Sequence, residues 1–155
     1  MYIFDTNSFK QLFGFYPSRF PRLWALFDQL VADGRISSVK EVLREMQQGG
    51  AQHLDTDWAQ RNKEVFKEPT AAEALVLSEI FANKHFQQSL ERTKLLRGGP
   101  FADPFIIARA KVNSATVVTE EKEKPNGTKI PNICKAIGVK CTNLEGFMEL
   151  EGWEF

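Results

Sequence analysis

Cysteine is scarce in this sequence, with only Cys134 and Cys141 among 155 residues. The two do not form the CxxC pairs that zinc and redox motifs use. A disulfide framework is also not expected, because a chain of this length buries enough surface to fold without cross-links. The sequence therefore predicts reduced, mostly buried thiols and no cysteine-based metal or redox centre.

Net charge is also lacking, because 20 acidic residues balance 20 basic ones. A strong basic excess is typical of proteins that coat nucleic acids, so the balance argues against that class while leaving room for a local basic groove. No apolar run reaches the ~20 residues of a membrane span. No basic segment precedes an apolar one as in a signal peptide, so we expect a cytoplasmic protein without membrane contact.

Phenylalanine, in contrast, is abundant, with 13 residues in the chain. The length predicts a single domain over residues 1–155. Most of the phenylalanines are expected in its core. Those between Phe9 and Phe27 leave two interpretations open, a helix face packed on the core or a surface for a protein partner.

Short apolar strands alternate with amphipathic helices along the chain. Residues 2–4 (YIF), 35–37, 115–119 (ATVVT) and 139–141 predict strands, the last at a sheet edge. Helical periodicity separates them, which is typical of parallel crossover units. We therefore predict an α/β fold, a three-layer sandwich with a mostly parallel central sheet and helices on both faces. Residues 51–100 are expected to form a helical insert.

Local signals define where several helices begin. Ser38 with Glu41, and Thr70 with Glu73, have the spacing of capping boxes. Asp103 is predicted as an N-cap, followed by a proline at the first helical position. The same capping function is one interpretation of Asp5 or Asn7, at the end of the first strand.

Four acidic residues have comparable positions, and three of them, Asp5, Asp103 and Glu121, can converge on one crevice. Asp5 and Glu121 follow strands, Asp103 begins a helix, and Glu45 lies on a helix that faces the core. Strand ends and the starts of the following helices meet at one end of a parallel sheet. Clustered carboxylates repel one another unless a cation lies between them, and oxygen ligands favour Mg²⁺ or Mn²⁺. A solvated surface position is the alternative for Glu45.

These segments resemble, in order, the motifs of the PIN domain family (PilT N-terminus). PIN domains are metal-dependent nucleases that include the VapC-type toxins of bacterial toxin–antitoxin pairs. Residues 5–7 (DTN) resemble the opening acid and its companions, and residues 42–46 (VLREM) resemble the V-x-x-E-[LM] turn. Residues 103–110 (DPFIIARA) resemble D-x-x-[IL]-x-A-x-A, and residues 115–121 a strand ending in T-x-[DE]. The opening MYIFDTN is similar to that of a PIN-like toxin family in particular.

The resemblance implies a Mg²⁺- or Mn²⁺-dependent endoribonuclease that hydrolyses RNA phosphodiesters, the toxin of a type II toxin–antitoxin pair. The implied catalytic and metal-binding residues are Asp5, Glu45, Asp103 and Glu121. Glu121 stands where the family often has Asp, so it completes the site directly or through water, or its neighbour Glu120 takes that place. Residues implied to orient carboxylates or water, with capping or turn formation as the alternative, are Thr6, Asn7, Thr119 and Glu120.

The resemblance also implies an RNA substrate, a cognate antitoxin and a homodimer. Candidate contacts to RNA are the basic residues Lys10, Lys84, Arg97 and Lys122. Two other functions stay open, namely a catalytically inactive PIN-like module that binds RNA or protein, and a metal-dependent phosphatase with Asp5 as nucleophile. The phosphatase lacks its usual partner acid two residues later, because Asn7 occupies that position.

Overall fold

The strand β1 (Tyr2–Phe4) lies at the centre of a five-stranded sheet. The computed structural model describes residues 1–48 and 53–155. Its strands are all parallel, in the order β3-β2-β1-β4-β5. The other strands are β2 (Ile36–Val39), β3 (Phe66–Lys67), β4 (Thr116–Val118) and β5 (Lys140–Thr142). Because Phe4 pairs with Val118, the chain leaves β1 and β4 at the same level of the sheet.

Nine α-helices within the described residues flank this sheet. They are α1 (Thr6–Phe13), α2 (Pro21–Ala32), α3 (Lys40–Gln48), α4 (His53–Arg61), α5 (Ala71–Ala82), α6 (Lys84–Arg97), α7 (Asp103–Val112), α8 (Ile130–Ile137) and α9 (Leu144–Leu150). A 3₁₀ turn spans Lys63–Val65. No helix in these ranges combines the length and the apolar character needed to span a bilayer.

The side chains of β1 alternate between two helical layers. Tyr2 and Phe4 pack against Phe147 of α9, with ring centroids 4.8 and 5.1 Å apart. Phe4 also contacts Phe27 of α2, so α2 and α9 lie on this face. Ile3 points to the opposite face, where α7 packs against β1, β2 and β4. The predicted α/β sandwich of three layers, with a parallel sheet between helices, is confirmed.

The phenylalanine-rich segment from Phe9 to Phe27 belongs mainly to the core. Phe9, Phe13 and Phe27 are buried and all contact the ring of Trp58 in α4. The partner-surface interpretation is wrong for these residues, because α1 and α2 both bury their aromatic side chains against the same side of the sheet. Exposed aromatic side chains in this segment are Tyr16 and Phe20.

Residues 51–100 were predicted to form a helical insert, but the described part of this segment is not purely helical. The capping box that begins α5 is confirmed, since Thr70 Oγ1 accepts from Glu73 N–H at 3.2 Å and Glu73 Oε2 from Thr70 N–H at 2.7 Å. The segment nevertheless also contributes β3, which pairs with Ser38 and Val39 at the edge of the sheet. A strand of two residues is too short to show a two-residue period in the sequence.

The predicted capping box at Ser38 and Glu41 is wrong. Ser38 is the third residue of β2, and its hydroxyl donates to the carbonyl oxygen of Phe4 at 2.7 Å. Glu41 pairs with Arg44 at 2.9 Å instead. The strand continues through Ser38 because a neighbouring strand supplies an acceptor, which local spacing cannot reveal. The predicted helix end at residues 49–50 lies outside the described residues.

A buried ion pair attaches α5 to the core. Arg109 Nη1 of α7 lies 2.9 Å from Glu73 Oε1, and both side chains are buried. Arg109 Nε donates to Ser37 Oγ on β2, also at 2.9 Å. The segment that carries α5 is therefore fixed to α7 and to the sheet by charged as well as apolar contacts.

Candidate functional site

Asp5 is the first residue after β1 and makes hydrogen bonds with both carboxylate oxygens. Oδ1 accepts from the backbone N–H of Ser8 at 2.7 Å and thereby caps α1. Oδ2 accepts from the hydroxyl of Thr119 at 2.5 Å. The capping interpretation is thus confirmed, and it does not exclude a site function, because the cap occupies one oxygen while the other lies between the ends of β1 and β4.

Thr119 extends this network to Glu121. Its hydroxyl donates to Asp5 and accepts from the backbone N–H of Glu121 at 3.1 Å. The side chain is buried, so both bonds are shielded from water. Thr119 therefore orients the Asp5 carboxylate and holds the start of the loop that carries Glu121.

Glu45 of α3 joins three elements of the fold. Its Oε2 accepts from the hydroxyl of Thr6, and its Oε1 accepts from the backbone N–H of Ala102 at 3.0 Å. Arg97 Nη1 lies 3.8 Å from Oε1. These partners come from the starts of α1 and α7 and the end of α6, so Glu45 is half-buried between these helix ends and is not solvated on the surface.

Asp103 is the first residue of α7, whereas the sequence predicted it as the cap. Ala102 occupies the cap position and makes no side-chain bond there, and Pro104 follows within the first turn. The prediction was wrong by one residue. Within the hydrogen bonds of the described residues, none involves the Asp103 carboxyl group, which leaves it available to a ligand.

The pKa values show that the acids interact. The pKa of Asp103 is raised to about 7, mainly by burial and next by the charge of Glu121. Glu45 and Asp5 raise this pKa further, while Arg97 lowers it. Burial also raises the pKa of Asp5, against the lowering effect of its hydrogen bonds to Thr119 and Ser8. Asp103 therefore lies within electrostatic reach of the other three predicted acids.

Glu121, not Glu120, faces this cluster. Glu121 Oε2 accepts from the backbone N–H of Ile130 at 2.9 Å, and Lys129 Nζ lies 3.6 Å from its Oε1. Glu120 Oε1 instead accepts from the N–H of Leu144 at 2.8 Å, at the start of α9. Successive residues at a strand end point to opposite sides, which separates the two carboxylates.

The donor chemistry suits a hard divalent cation, since all four candidate ligands are carboxylates. Within residues 1–48 and 53–155, however, no group of three or more His, Cys, Asp or Glu side chains is arranged to hold a metal ion. Three of the carboxylates are anchored to other partners, Asp5 by Thr119, Glu45 by Thr6 and Glu121 by Ile130. Cation binding would therefore have to use the carboxylate lone pairs that these hydrogen bonds leave free.

The remaining sequence candidates have different surroundings. Asn7 is exposed on the first turn of α1. Lys10, Lys84 and Lys122 are exposed, and of the predicted basic residues Arg97 is the one that contacts an acid of the cluster. Sequence reasoning missed the backbone N–H groups of Ala102 and Ile130, because nothing in the sequence distinguishes one backbone donor from another.

The sequence model of one protein family covers nearly the whole chain. It is described as a domain of unknown function, DUF4411, and matches residues 2–155. No curated protein and no solved structure matches the chain.

Proposed function

The chain belongs to the DUF4411 family, and we propose that it is a divalent-metal-dependent endoribonuclease of the PIN type. One observation carries this proposal. Four carboxylates from four separate elements lie at the end of a parallel sheet where ligands bind. Burial, and next the charges of the other three acids, raise the pKa of Asp103 to about 7. A bound cation relieves this repulsion.

In this proposal, Asp5, Glu45 and Asp103 hold one Mg²⁺ or Mn²⁺ ion, with Glu121 completing the site directly or through water. A divalent ion bound there supplies an activated water and stabilises negative charge on the phosphoryl oxygens. Burial and the neighbouring acids raise the pKa of Asp103 to about 7 without a cation, and a bound cation would lower this pKa and keep the carboxylate ionised as a ligand. Thr119 and Thr6 keep the carboxylates of Asp5 and Glu45 in place.

Two basic side chains at the rim support an anionic substrate. Arg97 lies 3.8 Å from Glu45, and Lys129 lies 3.6 Å from Glu121. Both can exchange these partners for backbone phosphates once a cation neutralises the acids. RNA as the substrate, and a toxin role with an antitoxin partner, follow from the resemblance to PIN domains. A small regulator encoded beside this gene would support the toxin role.

The test is cleavage of labelled single-stranded RNA with Mg²⁺ or Mn²⁺, and with EDTA. We expect cleavage that EDTA stops and that Asp5→Asn or Asp103→Asn reduces by at least about 100-fold, since each removes a charged ligand. Asp28→Asn, on an exposed position of α2, is the matched control and should cleave normally. Cleavage that survives EDTA or both substitutions would disprove the mechanism.

A catalytically inactive RNA- or protein-binding module is the second candidate. It is favoured by the ion pairs of Glu45 with Arg97 and of Glu121 with Lys129, which neutralise part of the acidic charge without a metal. Calorimetric titration with Mn²⁺ separates the two candidates. Saturable Mn²⁺ binding that is lost in Asp103→Asn supports the nuclease, whereas absence of binding supports the inactive module.

A phosphatase with Asp5 as nucleophile gains no support. Asp5 is only 3% exposed, and both of its oxygens accept hydrogen bonds, which lowers their nucleophilicity. Trapping of a phospho-aspartyl intermediate on Asp5 would be the observation that supports a phosphatase.

A further inference from the structure

A cavity of about 470 Å³ is lined by residues that neighbour Glu45 and Asp103 in the chain, and its volume lies in the usual range for small-ligand sites, roughly 300–1,000 Å³. Its walls come from α3, α5, α6 and α7. The charged and aromatic side chains of its lining that could contact a ligand include Glu41, Arg44, Phe81, Lys94, Phe101 and Phe105. Glu41 lies one helical turn before Glu45, and Phe101 and Phe105 flank Asp103 in the chain, so this cavity adjoins the proposed reaction site.

Glu41 is the polar feature of this cavity that the fold does not explain. Its side chain is buried, and one carboxylate oxygen pairs with Arg44 at 2.9 Å. The other oxygen, Oε2, is buried without a hydrogen-bond partner in the described part of the chain. A buried carboxylate oxygen without a donor is unfavourable, and a ligand that carries N–H groups would remove this cost.

The rest of the lining suits a flat ring attached to an anionic backbone. Three phenylalanines, Phe81, Phe101 and Phe105, provide apolar surface, and unstacked bases pack on aromatic side chains. Arg44 and Lys94 are exposed at the cavity and supply positive charge for phosphate, beside one further acid of the lining, Glu91. Arg97, stacked 5.3 Å from the Phe101 ring centroid, connects this cavity with Glu45.

We propose that the cavity binds a guanine base of the RNA whose phosphodiester lies at the acid cluster, an inference that rests on the proposed function. The Watson–Crick edge of guanine has two adjacent N–H donors beside a carbonyl acceptor. The donors bind Glu41, and the carbonyl binds Arg44. Adenine, cytosine and uracil do not present two adjacent donors to a carboxylate, so Glu41 discriminates against them.

The test uses fluorescent oligouridine RNA that carries a single central guanosine, adenosine or cytidine, together with oligouridine itself. Binding is measured by anisotropy in EDTA, where the proposed enzyme does not cut. The guanosine probe should bind about tenfold tighter than the others, as expected for a bidentate contact to a base edge. Glu41→Gln should reduce this ratio to near one, and Glu79→Gln, an exposed control on α5, should leave it unchanged.

A second variant keeps the test decisive if Glu41→Gln does not fold. Arg44→Met changes an exposed side chain, so the fold should persist while the guanosine preference falls severalfold. Equal binding of all four probes by the unmodified protein, no binding at all, or an unchanged preference in both variants would overturn the proposal. Cleavage of RNA without base preference would leave the proposed function standing, whereas guanosine-selective binding without metal-dependent cleavage would support the cavity alone.

Discussion

Thr119 donates its hydroxyl hydrogen to Oδ2 of Asp5 at 2.5 Å, across the ends of the neighbouring strands β4 and β1. The bond exists because Phe4 and Val118 are register partners, so the residues that follow them lie side by side. It leaves Asp5 with a fixed orientation, since its other oxygen caps α1. The proposed metal site therefore depends on a residue that is not itself an acid.

Replacement of Thr119 by valine tests this dependence. Thr119→Val removes the donor to Asp5 and leaves the N–H of Glu121 without its acceptor. We expect a loss of stability of about 1–3 kcal/mol and a fall in Mn²⁺ affinity or RNA cleavage of roughly 10- to 100-fold. Urea unfolding and calorimetry measure the two effects. Thr116→Val, at the other end of β4, is the control, and an equal loss of Mn²⁺ affinity there would contradict the prediction.

Asp103 should make the stability of the metal-free protein depend on pH. Its pKa is about 7 in the folded chain and near 3.8 when unfolded, so the folded state binds more protons between these values. The free energy of unfolding must then fall as the pH rises from about 4 to about 7. The raised pKa of Asp5 acts in the same direction.

Urea unfolding in EDTA at several pH values measures this slope, and Asp103→Asn should reduce it. Subtracting one slope from the other removes the contribution of groups that titrate in both proteins. A slope in Asp103→Asn that equals that of the unmodified protein would show that Asp103 titrates near its ordinary pKa.

Removal of the Arg97 charge should strengthen cation binding while it weakens RNA binding. Arg97 lies 3.8 Å from Glu45 and lowers the pKa of Asp103, so it competes with a cation for the same acids. For a partly exposed pair we expect Arg97→Met to raise Mn²⁺ affinity by roughly two- to fivefold. Arg92→Met, an exposed position on α6, is the control. Weaker Mn²⁺ binding in Arg97→Met would contradict this account.

Arg109 should matter for stability rather than for the site. Arg109→Met leaves Glu73 buried without its partner, which costs about 3–5 kcal/mol. The double variant Arg109→Met with Glu73→Gln should recover most of this loss, because no buried charge remains unpaired. Urea unfolding measures both proteins. Mn²⁺ affinity at a temperature where each is folded should stay unchanged, and a change in the double variant would indicate coupling to the site.

Most strands and helices were predictable because their signals are local, whereas the two-residue β3 was not. Pro21 at the start of α2 and Asn143 at the cap of α9 act through residues within one turn. The capping box of Thr70 and Glu73 is equally local and was predicted correctly. Ser38 shows the limit of such local signals. The same capping-box spacing gave a wrong prediction there, because the Ser38 hydroxyl donates to the carbonyl of Phe4 in the neighbouring strand β1.

By itself the sequence determined four of the five strands in the described residues and the candidate acids near their ends, because periodicity and strand-end position are properties of neighbouring residues. Only the tertiary structure decided how the carboxylates are oriented and which of two adjacent glutamates joins the cluster. It turned Glu120 toward α9 and Glu121 toward the cluster, and it joined Glu45 to Thr6. Such choices depend on side-chain direction and on contacts between residues far apart in the chain, and no local pattern encodes either one.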